Sequence, residues 1–179
     1  MKIEKGVDKQ PHPCYNKEKK EMTTMGDLKI ICFDMDGTIA DLYGVDNWLT
    51  DLRRYSAMPY RKAEPMWDTT ELNRLLNRAR AIGYEVRIIT WLSKESNPAY
   101  DEAVRQAKQD WLSFWGFPYD HFHGVAYGTT KANCIRKYLD EGETAILFDD
   151  NAKVRSGWRV GETYEPSQII EILKEIVGE

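Results

Sequence analysis

Two apolar runs that end in carboxylates constrain this chain more than any other feature. LKIICFD (28–34) and TAILFDD (144–150) are too short for stable helices and too uniformly apolar for strands with one wet face. Both therefore read as strands buried on two sides. YEVRIIT (84–90) is a third such run, GVAYG (124–128) a weaker one, and GWRV (157–160) is the expected last strand. Between them, apolar residues recur at helical spacing. Val45, Trp48, Leu49 and Leu52 form one stripe; Leu72, Leu75, Leu76, Ala79 and Ile82, stopped by Gly83, form the next. Pro98 opens a helix with Tyr100, Val104, Ala107, Trp111 and Phe114 on its buried face. Ala132, Ile135 and Leu139 mark another, and Pro166 opens a last one with Ile169, Ile172, Leu173 and Ile176 inward. Strands alternating with helices predict an α/β fold: a three-layer, Rossmann-like parallel sheet with helices on both faces and a small helical insert after the first strand.

Composition sets the bounds. A chain of 179 residues has room for one domain, expected over residues 27–179, behind a polar arm at 1–26 that is nearly free of large apolar side chains. Hydrophobic residues make up 42%, enough for a core. The net charge of −4 argues against a surface that coats nucleic acid. No apolar run approaches the roughly 20 residues needed to span a bilayer, and the first residues lack the apolar stretch of a secretory signal. Three cysteines, Cys14, Cys32 and Cys134, are odd in number and lack metal-site spacing, which makes a reducing cytoplasm the expected compartment.

In open parallel sheets, ligands bind beyond the carboxyl ends of the strands. The residues at those ends are Asp34, Asp36, Gly37 and Thr38 after the first strand and Thr90 and Trp91 at the second. Lys131 opens the helix after the short third strand, and Asp149, Asp150 and Asn151 follow the fourth. Singly, each has a bland explanation: a turn for Asp-x-Asp-Gly-Thr, a helix cap for Thr90, a surface position for Lys131, a solvated strand end for Asp149 and Asp150. Together, and in this order on this scaffold, they gather carboxylates and one lysine at a single sheet edge. DMDGT (34–38), IIT (88–90), the lysine of GTTKANCI and ILFDDN resemble the four motifs of the haloacid dehalogenase (HAD) superfamily. The resemblance runs from about Leu28 to the C-terminus, and within the superfamily the DMDGTIAD opening and small insert are similar to nucleotidase-like members.

That resemblance implies a Mg²⁺-dependent phosphomonoester hydrolase. Asp34 would be the nucleophile, forming an aspartyl-phosphate, and a metal ligand. Asp36 would bind the metal through its backbone carbonyl and act as general acid and base through its carboxyl. Thr90 and Lys131 would hold the phosphoryl group, Asp149 would complete the metal site, and Asp150 would assist it. The chemistry is consistent: a phosphomonoester dianion repels carboxylates unless a hard cation and a lysine neutralise the charge. An acid at position 36 favours ester hydrolysis over dehalogenation, because a halide leaves without a proton.

The insert at 41–67 is too short for more than a minimal cap. Its Tyr43, Tyr55, Tyr60 and Trp67, with Arg53, Arg54, Arg61 and Lys62, either pack as an ordinary helix and loop or flank a substrate; Trp48 is expected in the core. Trp91 is a further pocket candidate. Aromatics with arginine suit a nucleobase and an extra charge. The expected substrate is a small phosphorylated metabolite, with a nucleoside monophosphate the leading candidate. The alternatives are a polynucleotide end phosphatase and a non-catalytic phosphate- or nucleotide-binding protein of the same fold. GTTK (128–131) lacks the glycine spacing of a nucleotide P-loop. His121 and His123 have no third metal ligand in view and read as loop histidines.

Overall fold

The computed structural model describes residues 28–179, so the polar arm expected at 1–26 lies outside the described residues. In chain order the elements are β1 (Leu28–Phe33), β2 (Ala40–Asp41), α1 (Trp48–Arg53), α2 (Met58–Lys62), β3 (Glu64–Pro65), α3 (Thr69–Ala81) and β4 (Glu85–Trp91). Then come α4 (Pro98–Phe114), β5 (His121–Val125), α5 (Lys131–Ile135), β6 (Thr144–Phe148), α6 (Ala152–Gly157), β7 (Thr163–Tyr164) and α7 (Ile169–Val177). Five strands form one sheet in the order β5-β4-β1-β6-β7, with every neighbouring pair parallel.

The apolar runs are buried on both sides because the two faces are covered by different helices. Ile31 and Phe33 of β1, Ile88 of β4 and Phe148 of β6 pack with Leu72, Leu75 and Leu76 of α3 and Leu173 of α7. Alternate residues, Ile30, Cys32, Ile89 and Leu147, face Ala132 and Ile135 of α5 and Trp158. This is the doubly covered parallel α/β sheet that the alternation of elements predicts.

The insert differs from one helix and a loop. Two short helices, α1 and α2, hang from the antiparallel pair β2–β3. Pro59 sits in the first turn of α2, where its missing N–H costs nothing. The insert packs on α4 through a separate cluster of Leu52, Ala57 and Tyr60 with Tyr100, Val104 and Ala107.

Three other expectations shift. The last strand is not 157–160. Gly157 ends α6, and the buried Trp158 donates its Nε1 hydrogen to Ala145 O at 2.8 Å. Gly161, at φ +147°, then brings the backbone so close to Ala145 that any Cβ would collide, and pairing resumes only at Thr163. The third strand lies at His121–Val125, not 124–128, which places His121 and His123 on a strand rather than a loop. Phe114 is 80% exposed. In the last turns of α4 the buried face passes instead through Lys108, Trp111 and Leu112.

Candidate active site

β1, β4 and β6 are the three central strands, and their carboxyl ends carry the site. Asp34 follows β1, its N–H donating to Phe148 O at 2.9 Å, and Asp149 follows β6. Between Asp34 and β2 the chain turns sharply: the amides of Thr38, Ile39 and Ala40 all donate to Met35 O. Gly37 permits that turn with φ +75°, and a Cβ there would lie 2.6 Å from Tyr43 Cε2 and 2.7 Å from Asp150 Oδ2. Thr38, fully buried, accepts the Asp150 amide on Oγ1 at 3.1 Å and so ties the first acidic loop to the last.

Lys131, at the start of α5 and 3% exposed, reaches into this cluster. Its Nζ donates to Asp34 Oδ1 at 2.8 Å and to Asp149 Oδ2 at 2.7 Å. It also lies 5.4 Å from the centroid of the Trp91 ring. Asp149 is fixed on its other oxygen by the Asn151 amide at 2.9 Å. Asp34, Asp36, Trp91, Lys131, Asp149 and Asp150 all line one cavity of about 340 Å³. Thr90, fully buried, joins them through a lysine absent from the sequence-based expectations. Lys108 of α4 donates to Asp36 Oδ2 at 2.6 Å and to Thr90 Oγ1 at 2.7 Å.

One carboxylate oxygen from each of Asp34, Asp149 and Asp150 lies within 4.8 Å of the others. Counting Asp36 as well, four carboxylates face the ammonium groups of Lys108 and Lys131, a formal excess of two negative charges. Hard oxygen donors with that excess fit a hard divalent cation. The cluster shows the strain of its charge. Burial first, then neighbouring Asp34, pushes Asp149 up to about 6 against the pull of Lys131. Burial, then Asp34 and Asp149, raises Asp150 to about 6 as well. Burial likewise raises Asp36 above the ordinary carboxylate range, with Lys108 pulling down and Asp34 pushing up.

These shifts fix the sign of a pH effect. Without a cation, folded Asp149 holds its proton up to about pH 6, whereas the unfolded chain releases it lower. The group thus favours folding at acid pH and loses that contribution as pH rises through 6. A cation bound by this cluster would take the proton's place above that point. Mg²⁺ is therefore expected to raise Tm clearly at about pH 7.5 and little at about pH 5. Calorimetry at both pH values checks this, and an equal rise at both contradicts it.

The insert's contribution is selective. Tyr43, Trp48, Leu49, Arg53 and Tyr60 line the cavity. Trp48, expected in the core, is among them, and its ring meets Tyr43 edge to face at 5.2 Å. Arg61 and Trp67 do not line it: Arg61 pairs with Asp110 at 2.8 Å, and Trp67 donates to Thr38 O at 3.1 Å while packing on the core. Across the cavity, Trp91 is held by Thr129 O at 2.9 Å and meets Tyr127 at a centroid distance of 4.9 Å. His123 sits beside Arg87 Nη1 at 3.4 Å, away from this cluster.

Neither a protein-family model nor a curated protein matches the sequence. Solved structures do. A HAD-like phosphatase from Mesorhizobium loti aligns with a TM-score of 0.55 and 13% identity, over 85% of this chain and 87% of its own. The fold is that of the HAD-like phosphatases. D,D-heptose 1,7-bisphosphate phosphatase from Burkholderia thailandensis shares this HAD-like fold at a TM-score of 0.51 and 12% identity, over 84% of this chain and 99% of its own. A chain of the Pnkp1/Rnl/Hen1 RNA repair complex shares it at 0.52 and 20% identity, over 78% of this chain; the match spans 42% of that longer chain. No helix among the described residues is long and apolar enough to cross a membrane.

Proposed function

We propose that this chain is a Mg²⁺-dependent phosphomonoester hydrolase in which Asp34 is the nucleophile. The observation that carries the reading is the placement of Asp34. It is 8% exposed, ion-paired to Lys131, one corner of the carboxylate triangle with Asp149 and Asp150, and two residues before a second acid, Asp36. An oxygen of Asp34 attacks phosphorus, and the bond from phosphorus to the alcohol oxygen breaks as the Asp36 carboxyl gives that oxygen its proton. Water then attacks the aspartyl-phosphate, Asp36 takes the water's proton, and Asp34 leaves as a carboxylate. Thr90 and Lys131 offer hydrogen bonds and positive charge to the phosphoryl oxygens. Asp34, Asp149 and the Asp36 backbone carbonyl, with Asp150 assisting, would hold Mg²⁺, which would supply charge that offsets the substrate dianion. Residues 27–179 act as one hydrolase domain with 41–67 as its cap, and the cytoplasm is its setting.

The cavity suits a small phosphomonoester. Its volume of about 340 Å³ is near the lower end for small-molecule sites. Trp91 with Tyr127 and Tyr43 with Trp48 offer ring faces and edges to a planar group, and Arg53 and Lys94 add positive charge at its wall. A nucleoside monophosphate uses both features. The Burkholderia neighbour is named for a sugar phosphate and the RNA repair neighbour for a complex acting on RNA, so the test spans all three substrate types.

A kinetic panel of nucleoside monophosphates, sugar phosphates and phosphorylated oligonucleotides, with Mg²⁺ and with EDTA, checks the reading. The expected result is nucleotide hydrolysis that stops with EDTA. Trp91→Ala should raise KM for the nucleotide by about tenfold, the scale of one lost stacking partner. Full activity in EDTA would remove the metal from the mechanism. Sugar phosphates outperforming every nucleotide, with Trp91→Ala silent, would end the nucleotide assignment while leaving the phosphatase standing. No turnover of any ester would favour a binding protein of the same fold.

A further inference from the structure

Lys108 is completely buried in a stretch of α4 whose neighbouring inward residues, Val104, Ala107, Trp111 and Leu112, are apolar or aromatic. Burying an ammonium group there is costly, and an apolar side chain of similar length would pack in its place. The two buried lysines divide the site between them. Lys131 pairs with Asp34 and Asp149, and Lys108 pairs with Asp36 and Thr90. We propose that Lys108 is a positioning residue that aims the Asp36 carboxyl at the leaving-group oxygen.

The geometry gives the reason. An ammonium group only donates hydrogen bonds. Lys108 occupies Asp36 Oδ2 at 2.6 Å, so that oxygen is committed and Oδ1 is left to exchange the proton with substrate. The second bond, to Thr90 Oγ1 at 2.7 Å, anchors the lysine to the end of β4. Because Lys108 fills an acceptor site on Thr90, the threonine hydroxyl keeps its own proton to donate. Its alternative acceptor in the protein, Trp91 O, is a distant 3.4 Å away. The Tyr60 ring, 4.7 Å from Lys108 Nζ, closes the ammonium from the insert side. Without the lysine, the Asp36 carboxyl, 19% exposed, loses the contact that selects one orientation.

This inference rests on the phosphatase reading. The test is steady-state kinetics of the full chain, wild type against Lys108→Met, on p-nitrophenyl phosphate and on an alkyl phosphate with a poor leaving group. Lys108→Met is expected to lower kcat on the alkyl ester by about tenfold to a hundredfold, part of the general acid's contribution, with a smaller loss on p-nitrophenyl phosphate and little change in KM. The double variant Asp36→Asn/Lys108→Met removes both charges together and is compared with Asp36→Asn alone. Since Lys108 acts through Asp36, the two should agree within about threefold. This comparison stands even if the single lysine variant does not fold. Wild-type kcat in Lys108→Met, equal first-step losses on both esters in burst kinetics, or a further tenfold drop in the double variant would overturn the proposal while the phosphatase reading survives. A wild type that cleaves neither ester overturns both.

Discussion

Asp34→Asn should fold and should not turn over. The substitution keeps the side chain's shape and the backbone bond from residue 34 to Phe148 O, and Lys131 keeps Asp149 at 2.7 Å. It also removes a negative charge that helps to raise Asp149 and Asp150. Thermal stability without metal should therefore hold or rise. Chemistry is lost because an amide is a very poor nucleophile. The expected fall in kcat is on the order of ten-thousandfold or more, the scale found when a covalent nucleophile is removed. Circular dichroism and melting establish the fold, and ester hydrolysis reads the rate. A folded variant with wild-type rates would take Asp34 out of the mechanism.

The second large effect is at Asp36. Asp36→Asn should slow turnover by about a hundredfold or more, because an amide can neither protonate the departing alkoxide nor accept a proton from water. Its environment suits the role. Burial raises the carboxyl above the ordinary carboxylate range, and Lys108 pairs with it at 2.6 Å. Asparagine loses the charge facing Lys108, and a modest loss of stability should accompany the kinetic effect. In the first step, p-nitrophenyl phosphate should suffer less than an alkyl phosphate, since nitrophenolate leaves with less help. Pre-steady-state bursts separate that step from dephosphorylation, and equal first-step losses on both esters would remove acid catalysis from Asp36.

The sequence made the sheet edge readable because burial and chemistry coincide there. β1, β4 and β6 are covered on both faces, so each appears as an apolar run, and the first polar residues after each run are those that meet in space. The short strand β7 leaves little trace in the sequence because only Thr163 and Tyr164 pair with β6. The more apolar GWRV instead serves to bury Trp158. Phe114 was misplaced because helical spacing alone does not show where a supporting surface ends. Lys108 was invisible for a different reason. A lysine between Gln106 and Asp110 reads as solvated, and its partner Asp36 lies seventy-two residues away. The one available hint was its spacing, four residues after Val104 on the buried stripe. The insert's cavity-lining residues are equally ambiguous in the sequence: Arg53 lines the cavity and Arg61 does not, a difference set by how α1 and α2 dock on α4.

The most direct measurement of the central claim is the mass of the protein after acid quench during turnover of a phosphomonoester with Mg²⁺. Acid preserves an acyl phosphate long enough for digestion and mass spectrometry. The expected result is one added phosphoryl group on the peptide that contains Asp34, present in the wild type, increased in Asp36→Asn if dephosphorylation is slowed more than its formation, and absent in Asp34→Asn. A turning-over enzyme with no phosphoryl adduct, or an adduct on a peptide that lacks Asp34, would contradict the account.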